Sequence, residues 1–309
     1  MRALACPASF KGVLTAAAAA AALAEGLRSA GADAVELPVA DGGEGTADAL
    51  RLARGGEWRE ADVHDAFGEP RRARWLLLPD RTAVVEAAAA VPLDPRRLDP
   101  LAASSRGFGE LVSAALANGA RSLVLGLGGT ATMDAGAGFL EVVGELPIPA
   151  RAACDVTATL LEAPRLFGPQ KGAVDEVVSE LERRFADRDD LELLRDVRFG
   201  GAAGGLGAAL ASLGAALVAG APLVLDAVGF DASRFDLVVT GEGRVDATTA
   251  LGKAPGEVVR RSGSTRCVVV GGVVAADVPG AATLALSGDP ARAREDLVAA
   301  GCGLASGRR

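Results

Sequence analysis

Residues 236–255, DLVVTGEGRVDATTALGKAP, hold the densest set of groups able to do chemistry. The apolar run Leu237, Val238 and Val239 has the pattern of a buried strand, and it predicts a loop over Thr240 to Asp246. Glycine lets backbone N–H groups approach an anion, while Glu242 and Asp246 offer oxygen ligands to a hard cation. Lys253 follows, just ahead of a helix start. The same grammar of apolar run, glycine and acid recurs at 35–46 (VELPVADGGEGT) and 122–134 (SLVLGLGGTATMD), so three strand ends are available to line one cleft.

The acids Asp41, Asp134, Asp155, Glu242 and Asp246 all fall at or just after predicted strand ends. A carboxylate cluster needs cations to be tolerable. Mg²⁺ and lysines would supply them, and phosphoryl transfer asks for little more than such positioning and charge stabilisation. Each acid taken singly is as well explained as a helix cap or turn former. Of the 32 basic residues only Lys11, Lys171 and Lys253 are lysines, and each adjoins glycine. In a chain whose other cations are all arginine, this placement suggests sites where a compact point charge meets an anion. His64, the single histidine, sits in a β-like region and is read as structural; tyrosine is absent, so a general base would be a carboxylate. Arg106 follows two serines at a helix start, where it is suited to clamping a substrate carboxylate or simply to facing solvent. Neither a P-loop nor a complete GxGxxG occurs; 126–131 (GLGGTA) meets only a relaxed form.

The elements that would carry these groups alternate. Arg2 to Cys6 reads as a strand, Thr15 as the N-cap of an alanine-rich helix to Arg28, Val35 to Val39 as a second strand and Asp41 to Thr46 as a loop opening a helix. Such βαβα order predicts a parallel sheet with loops at its carboxyl edge. Between Glu57 and Glu86 short β-like stretches separated by Gly, Pro and Asp turns suggest antiparallel pairing and a second domain. Helices are predicted from Ser104 or Ser105 to Asn118, over 136–143, 173–186 and 291–300, and from Glu257, with strands at 122–127, 152–156 and 266–270. The expected division is a discontinuous parallel domain of 1–56 plus 236–309, optionally with 101–143, and a second α+β domain of 57–100 plus 144–235.

The chain has 309 residues, half of them hydrophobic, and few aromatics, in keeping with an α/β enzyme of two domains in which small residues pack helices closely on sheets. A net charge of −8 argues against nucleic-acid or anionic-membrane surfaces and points to a small-molecule partner. Four scattered cysteines signal neither zinc nor a disulfide framework, and no signal peptide is read at the N-terminus, so the expected location is cytoplasmic. Residues 200–225 lack charge for longer than a membrane span, but glycine pairs and Pro222 read as buried helices meeting at a loop.

Taken together the motifs SFKG (9–12), ADGGEGT (40–46), SRG (105–107), GLGGTATMDAGAG (126–138), CDV (154–156), FGPQKG (167–172), GGAAGGLGAAL (200–210) and TGEGRVD with GKAP resemble those of the glycerate kinase family, of the bacterial glycerate 2-kinase type. The resemblance spans nearly the whole length. It implies ATP-dependent, Mg²⁺-assisted phosphorylation of D-glycerate at the 2-hydroxyl. The implied fold is a three-layer Rossmann- or flavodoxin-like parallel domain and a smaller mixed α/β domain, with the active site in the cleft between domains, in a monomer or homodimer.

Carried onto this sequence, the resemblance implies that Asp41 and Asp155 handle the substrate hydroxyl or act as base and that Lys11 and Lys171 neutralise the substrate carboxylate or the moving phosphoryl group. Ser9, Glu86 and Arg106 would contact substrate. Gly128, Gly129, Thr130, Gly241, Gly243 and Lys253 would bind nucleotide, and Asp134, Glu242 and Asp246 would hold the metal. Departures stand at Ala8, Met133, Ala158 and Thr248, where the family usually has Asp, Asn, Asn and Gln, and the link from Val143 to Ala152 is shortened. Each change removes or shrinks a polar group. They keep open a catalytically impaired relative that binds a nucleotide or small acid, and a kinase for another hydroxy acid.

Overall fold

The computed structural model describes residues 1–250 and 252–307. In chain order its elements are β1 (Arg2–Ala5), α1 (Ala16–Ser29), β2 (Asp33–Glu36), α2 (Thr46–Arg54), β3 (Glu57–His64), β4 (Pro70–Leu77), β5 (Thr82–Glu86), α3 (Ala87–Ala90) and α4 (Arg106–Ala117). There follow β6 (Ser122–Gly126), α5 (Ala137–Val142), β7 (Ala150–Cys154), α6 (Ala163–Phe167), α7 (Asp175–Ala186), α8 (Ala202–Ser212), β8 (Ala216–Ala219) and α9 (Gly220–Ala227). The chain ends in β9 (Leu237–Val245), α10 (Ala254–Ser262), β10 (Arg266–Val274), β11 (Ala282–Ala285) and α11 (Ala293–Ala305). They fall into two compact units, Met1–Asp41, Asp48–Ala53 and Ala221–Arg309 in the first, Gly42–Ala47 and Arg54–Gly220 in the second.

The first unit is built on a five-stranded, wholly parallel sheet in the order β11-β10-β9-β1-β2. Renumbered within the unit this is 2-1-3-4-5, the flavodoxin-like order, and it places the reversal of strand order between β1 and β9. Alternate strand residues feed two cores. Ala3, Ala5, Leu237, Val239, Val268 and Val270 meet α1 and Leu297 of α11 on one face. Leu4, Val238 and Val269 meet Val258 of α10 and Leu225 of α9 on the other. Thr15 caps α1 as its sequence position predicts, its Oγ1 accepting from Ala18 N at 3.1 Å.

In the second unit the sheet order is β3-β4-β5-β6-β7-β8; β3, β4 and β5 pair antiparallel and β5 through β8 parallel. Much of β3 and β4 is charged and exposed, and their antiparallel pairing is the one expected for 57–86. One face of this sheet is closed by α4, with Phe108, Leu111 and Val112 packed on Val85, Leu123 and Leu125.

Several expectations change. The stretch Thr240 to Val245 is strand rather than loop: β9 pairs with β10 as far as Val245↔Val274. Gly241 is the reason the two backbones can close there, since a Cβ would fall 2.1 Å from Val270 O. Residues 200–225 contain α8, the edge strand β8 and part of α9, where two helices were expected to meet at a loop. β8 is only four residues long and wholly apolar (ALVA), without the alternation that marks a strand. Residues 101–143 lie in the second unit and 221–235 in the first, so the unit on the mixed sheet holds the longer share of the chain rather than the shorter. Among the described residues no helix is long and apolar enough to cross a membrane.

Candidate active site

In the first unit the acidic groups gather at the carboxyl ends of the strands beside the reversal point. Thr240 Oγ1 donates to Cys6 O at 2.7 Å and Ala8 N to Gly241 O at 2.8 Å, so the turn carrying Ser9 and Lys11 is laced to the end of β9. The turn lies over Gly243, where an added Cβ would come 3.5 Å from Lys11 N, an ordinary contact distance. Lys11 itself is exposed and Ser9 half-buried.

Glu242 accepts from Thr249 Oγ1 at 2.7 Å, and the Lys253 ammonium stands 3.6 Å from Glu242 and 3.8 Å from Asp246. Burial, together with the like charges of Asp41 and Asp246, raises the Glu242 pKa above the usual carboxylate value despite Thr249 and Lys253. Asp246 is held low by hydrogen bonds from the Thr248 hydroxyl and amide. The donor set suits Mg²⁺, which takes one or two carboxylates and leaves its other positions to water and phosphate oxygens. Among the described residues no three His, Cys, Asp or Glu side chains form a larger metal group.

The second unit brings Lys171, Asp155 and the glycine turns together at the carboxyl ends of β5, β6 and β7. The turn 42–47 packs against them without clearance: a Cβ on Gly42 would fall 2.7 Å from the Ala153 side chain, one on Gly126 2.7 Å from Gly42 O, and one on Gly128 2.7 Å from Gly43 Cα. Glu86, at the end of β5, accepts from Ala47 N at 2.8 Å and so caps the first turn of α2 from a neighbouring strand. Gly129 is left-handed at φ 76°, and Thr130 is buried and bridged to Pro92.

Lys171 is only 4% exposed, and its ammonium donates to Thr132 O at 2.8 Å. Burial lowers its pKa from 10.5 to about 8, while the charges of Asp134 and Asp155 oppose the fall. Asp155 is exposed, immediately after β7.

Two expected site residues are engaged elsewhere. The Asp134 carboxylate accepts from Ser105 N and Oγ, Gly136 N and Gly138 N at 2.7–3.1 Å. Four chain donors therefore occupy a group that was expected to ligate metal, and it fastens α4 to α5. Ser105, rather than capping α4, bridges Asp134 to Phe139 N. The Arg106 guanidinium, expected on substrate, reaches Glu110 and Glu141, and Glu110 also receives His64. His64 is exposed and is engaged by Glu110 in this network.

The departures are accommodated: Met133 joins an apolar cluster with Leu160 and Phe185, Ala158 is buried, Ala8 packs on the first unit's core, and Thr248 supplies Asp246 with two hydrogen bonds. Sequence reasoning passed over Thr132, Thr249 and Ser105. The hydroxyls of Thr132 and Thr249 lie two and three residues from Asp134 and Asp246, and this proximity was the available signal; Ser105 meets Asp134 from 29 residues away, with no local signal.

Residues 3–150 and 147–288 match the profile of the glycerate kinase family. The chain is 39% identical to the glycerate kinase of Bacillus subtilis (strain 168), over 88% of this chain and 84% of that protein. It is 38% identical to the glycerate 2-kinase of Escherichia coli (strain K12), over 82% of this chain and 80% of that one. A crystal structure of a candidate glycerate kinase 2 from Salmonella typhimurium LT2 superimposes with a TM-score of 0.83 at 31% identity, covering 99% of this chain and 98% of the other.

Proposed function

This chain belongs to the glycerate kinase family, and from that premise we propose that it phosphorylates the 2-hydroxyl of D-glycerate with ATP and Mg²⁺, giving 2-phosphoglycerate and ADP. The observation that carries the reading is Lys171: a buried ammonium with one hydrogen bond among the described residues, to Thr132 O, beside the charge of Asp155. An ammonium has three donors, and leaving two unused in the interior is costly unless an anion arrives to take them.

In this reading Asp155 accepts the proton of the glycerate 2-hydroxyl as its oxygen bonds to the γ-phosphorus, and the bond from that phosphorus to the bridging oxygen breaks to release ADP. Lys171 meets the negative charge of the transferred group or the glycerate carboxylate. Glu242 and Asp246 would hold Mg²⁺, which when bound neutralises phosphate charge, with Asp41 beside them. Lys253 balances those acids, while Gly241, Gly243, Gly128, Gly129 and Thr130 approach the nucleotide, and Ser9 and Lys11 remain assigned to anion contacts. Glu86 is assigned to holding the 42–47 turn, Asp134 to joining α4 and α5, and Arg106 to its surface acids.

A coupled ADP-release assay over a panel of short hydroxy acids, with the product identified by ³¹P NMR, tests this. D-glycerate should be the best substrate and 2-phosphoglycerate the product. Ligand-induced thermal stabilisation without turnover on any acid would favour the impaired binder, and preference for another acid the shifted kinase. Wild-type turnover from Lys171→Ala or Asp155→Ala would refute the residue assignment.

A further inference from the structure

Inside α8 the backbone turns left-handed for three successive residues, Ala203 (φ 53°, ψ 37°), Gly204 (φ 68°, ψ 43°) and Gly205 (φ 89°, ψ −2°). Two of them are glycines, for which this costs little; Ala203 is not, and a side chain there pays steric strain that the surroundings must hold in place. The surroundings are the segment 132–135. Thr132 Oγ1 donates to Ala203 O at 2.9 Å, and Ala135 N to Gly204 O at 3.0 Å. A Cβ on Gly204 would fall 2.0 Å from Thr132 O, and one on Gly205 2.7 Å from Ala135 Cα, so the kink and the segment are in full backbone contact. From the far side Arg188 Nη1 donates to Ala135 O at 2.8 Å and to Asp134 O at 3.3 Å.

Thr132 is fully buried and faces two ways: its hydroxyl is spent on the kink and its carbonyl on the Lys171 ammonium. An ammonium is a point donor on a flexible stem, so its position is set by what it is bonded to. Here that is a carbonyl whose own position is fixed by a strained turn. We propose that Thr132 is a positioning residue for Lys171, and that the left-handed kink at 203–205 serves to hold it there. The proposal rests on the reading of Lys171 as a group that touches substrate.

The test is a double-variant cycle of Thr132→Val and Lys171→Ala, with Thr132→Ser as rescue, assayed at a temperature where each protein is folded by circular dichroism. Thr132→Val keeps the shape and loses the O–H; kcat for glycerate phosphorylation should fall about 10- to 100-fold, since a displacement of about 1 Å costs of this order. Thr132→Ser should return to within about three-fold of wild type. Because Thr132 acts through Lys171, adding Thr132→Val to Lys171→Ala should bring no further loss. If Thr132→Val does not fold, Thr132→Ala, smaller and unbranched, makes the same comparison. A purely structural role predicts a lowered Tm with wild-type kcat, and that result overturns the proposal, as would failed rescue by serine or a further loss in the double variant. Wild-type kcat in Lys171→Ala alone would instead overturn the reading of Lys171 on which it rests.

Discussion

Thr249 Oγ1 donates to Glu242 Oε1 at 2.7 Å, and this hydroxyl, with the Lys253 ammonium 3.6 Å from the other oxygen, is what the chain sets against the burial of Glu242 and its repulsion by Asp41 and Asp246. The sum still leaves the carboxyl with a raised pKa. Carboxyls placed where burial and like charges disfavour ionisation cluster at functional sites.

Replacing Glu242 with Gln should therefore separate stability from activity. A carboxyl whose pKa is raised in the folded state adds stability at low pH and loses it as pH rises through the folded value, so above that value the charge on Glu242 is a burden. The amide keeps an oxygen for Thr249 and sheds the charge. The melting temperature of Glu242→Gln at pH 7 should rise, while kcat/KM falls about 100-fold. Differential scanning calorimetry beside the ADP-release assay checks both, and unchanged turnover would remove Glu242 from the metal set.

Lys171 makes the opposite prediction at the alkaline end. Its pKa is about 8 in the folded protein against an ordinary 10.5, so between these values the unfolded chain binds the extra proton. Stability should then climb with pH from about 8 to 10.5, and Lys171→Met should flatten that slope. If the ammonium is the working form, kcat falls as pH rises through about 8, even as the fold grows more stable. Urea titrations from pH 7 to 10, run with the pH–rate profile, test the pair; parallel movement of stability and rate would contradict it.

Much of this arrangement was legible in the sequence because it rests on local chemistry. Apolar runs of three to five residues marked β1, β6 and β9, and a threonine before seven alanines marked the start of α1. The carboxyl-edge position of Asp41, Asp155 and Glu242 followed from βα alternation alone. What did not follow was partnership. The continuation of β9 through Gly241 and Gly243 depends on β10, 25 or more residues later, offering its backbone at close range. Asp134 and Asp155 look alike in sequence, each following a strand, yet one meets Ser105 and two glycine amides and the other stays exposed. Propensity cannot tell these apart, because the difference is made by segments distant along the chain.

Asp134 gives that difference a measurable form. Replacing it with Ala strands the Ser105 amide and hydroxyl and the Gly136 and Gly138 amides in a partly to fully buried setting, and each unsatisfied donor costs about 1–3 kcal/mol. Water will recover part of this, so Asp134→Ala should lose about 3 kcal/mol in urea unfolding. Asp134→Asn retains one acceptor oxygen and should lose less. Because α4 and α5 meet through Phe108 and Phe139, whose rings stand 5.5 Å apart, loosening this clamp should also weaken the near-ultraviolet ellipticity. A metal ligand behaves otherwise: its loss weakens Mg²⁺ dependence and leaves the apo fold as stable as before. Unfolding curves of the two variants, taken with and without Mg²⁺, distinguish the roles, and an undiminished apo stability in Asp134→Ala would return this residue to the metal site.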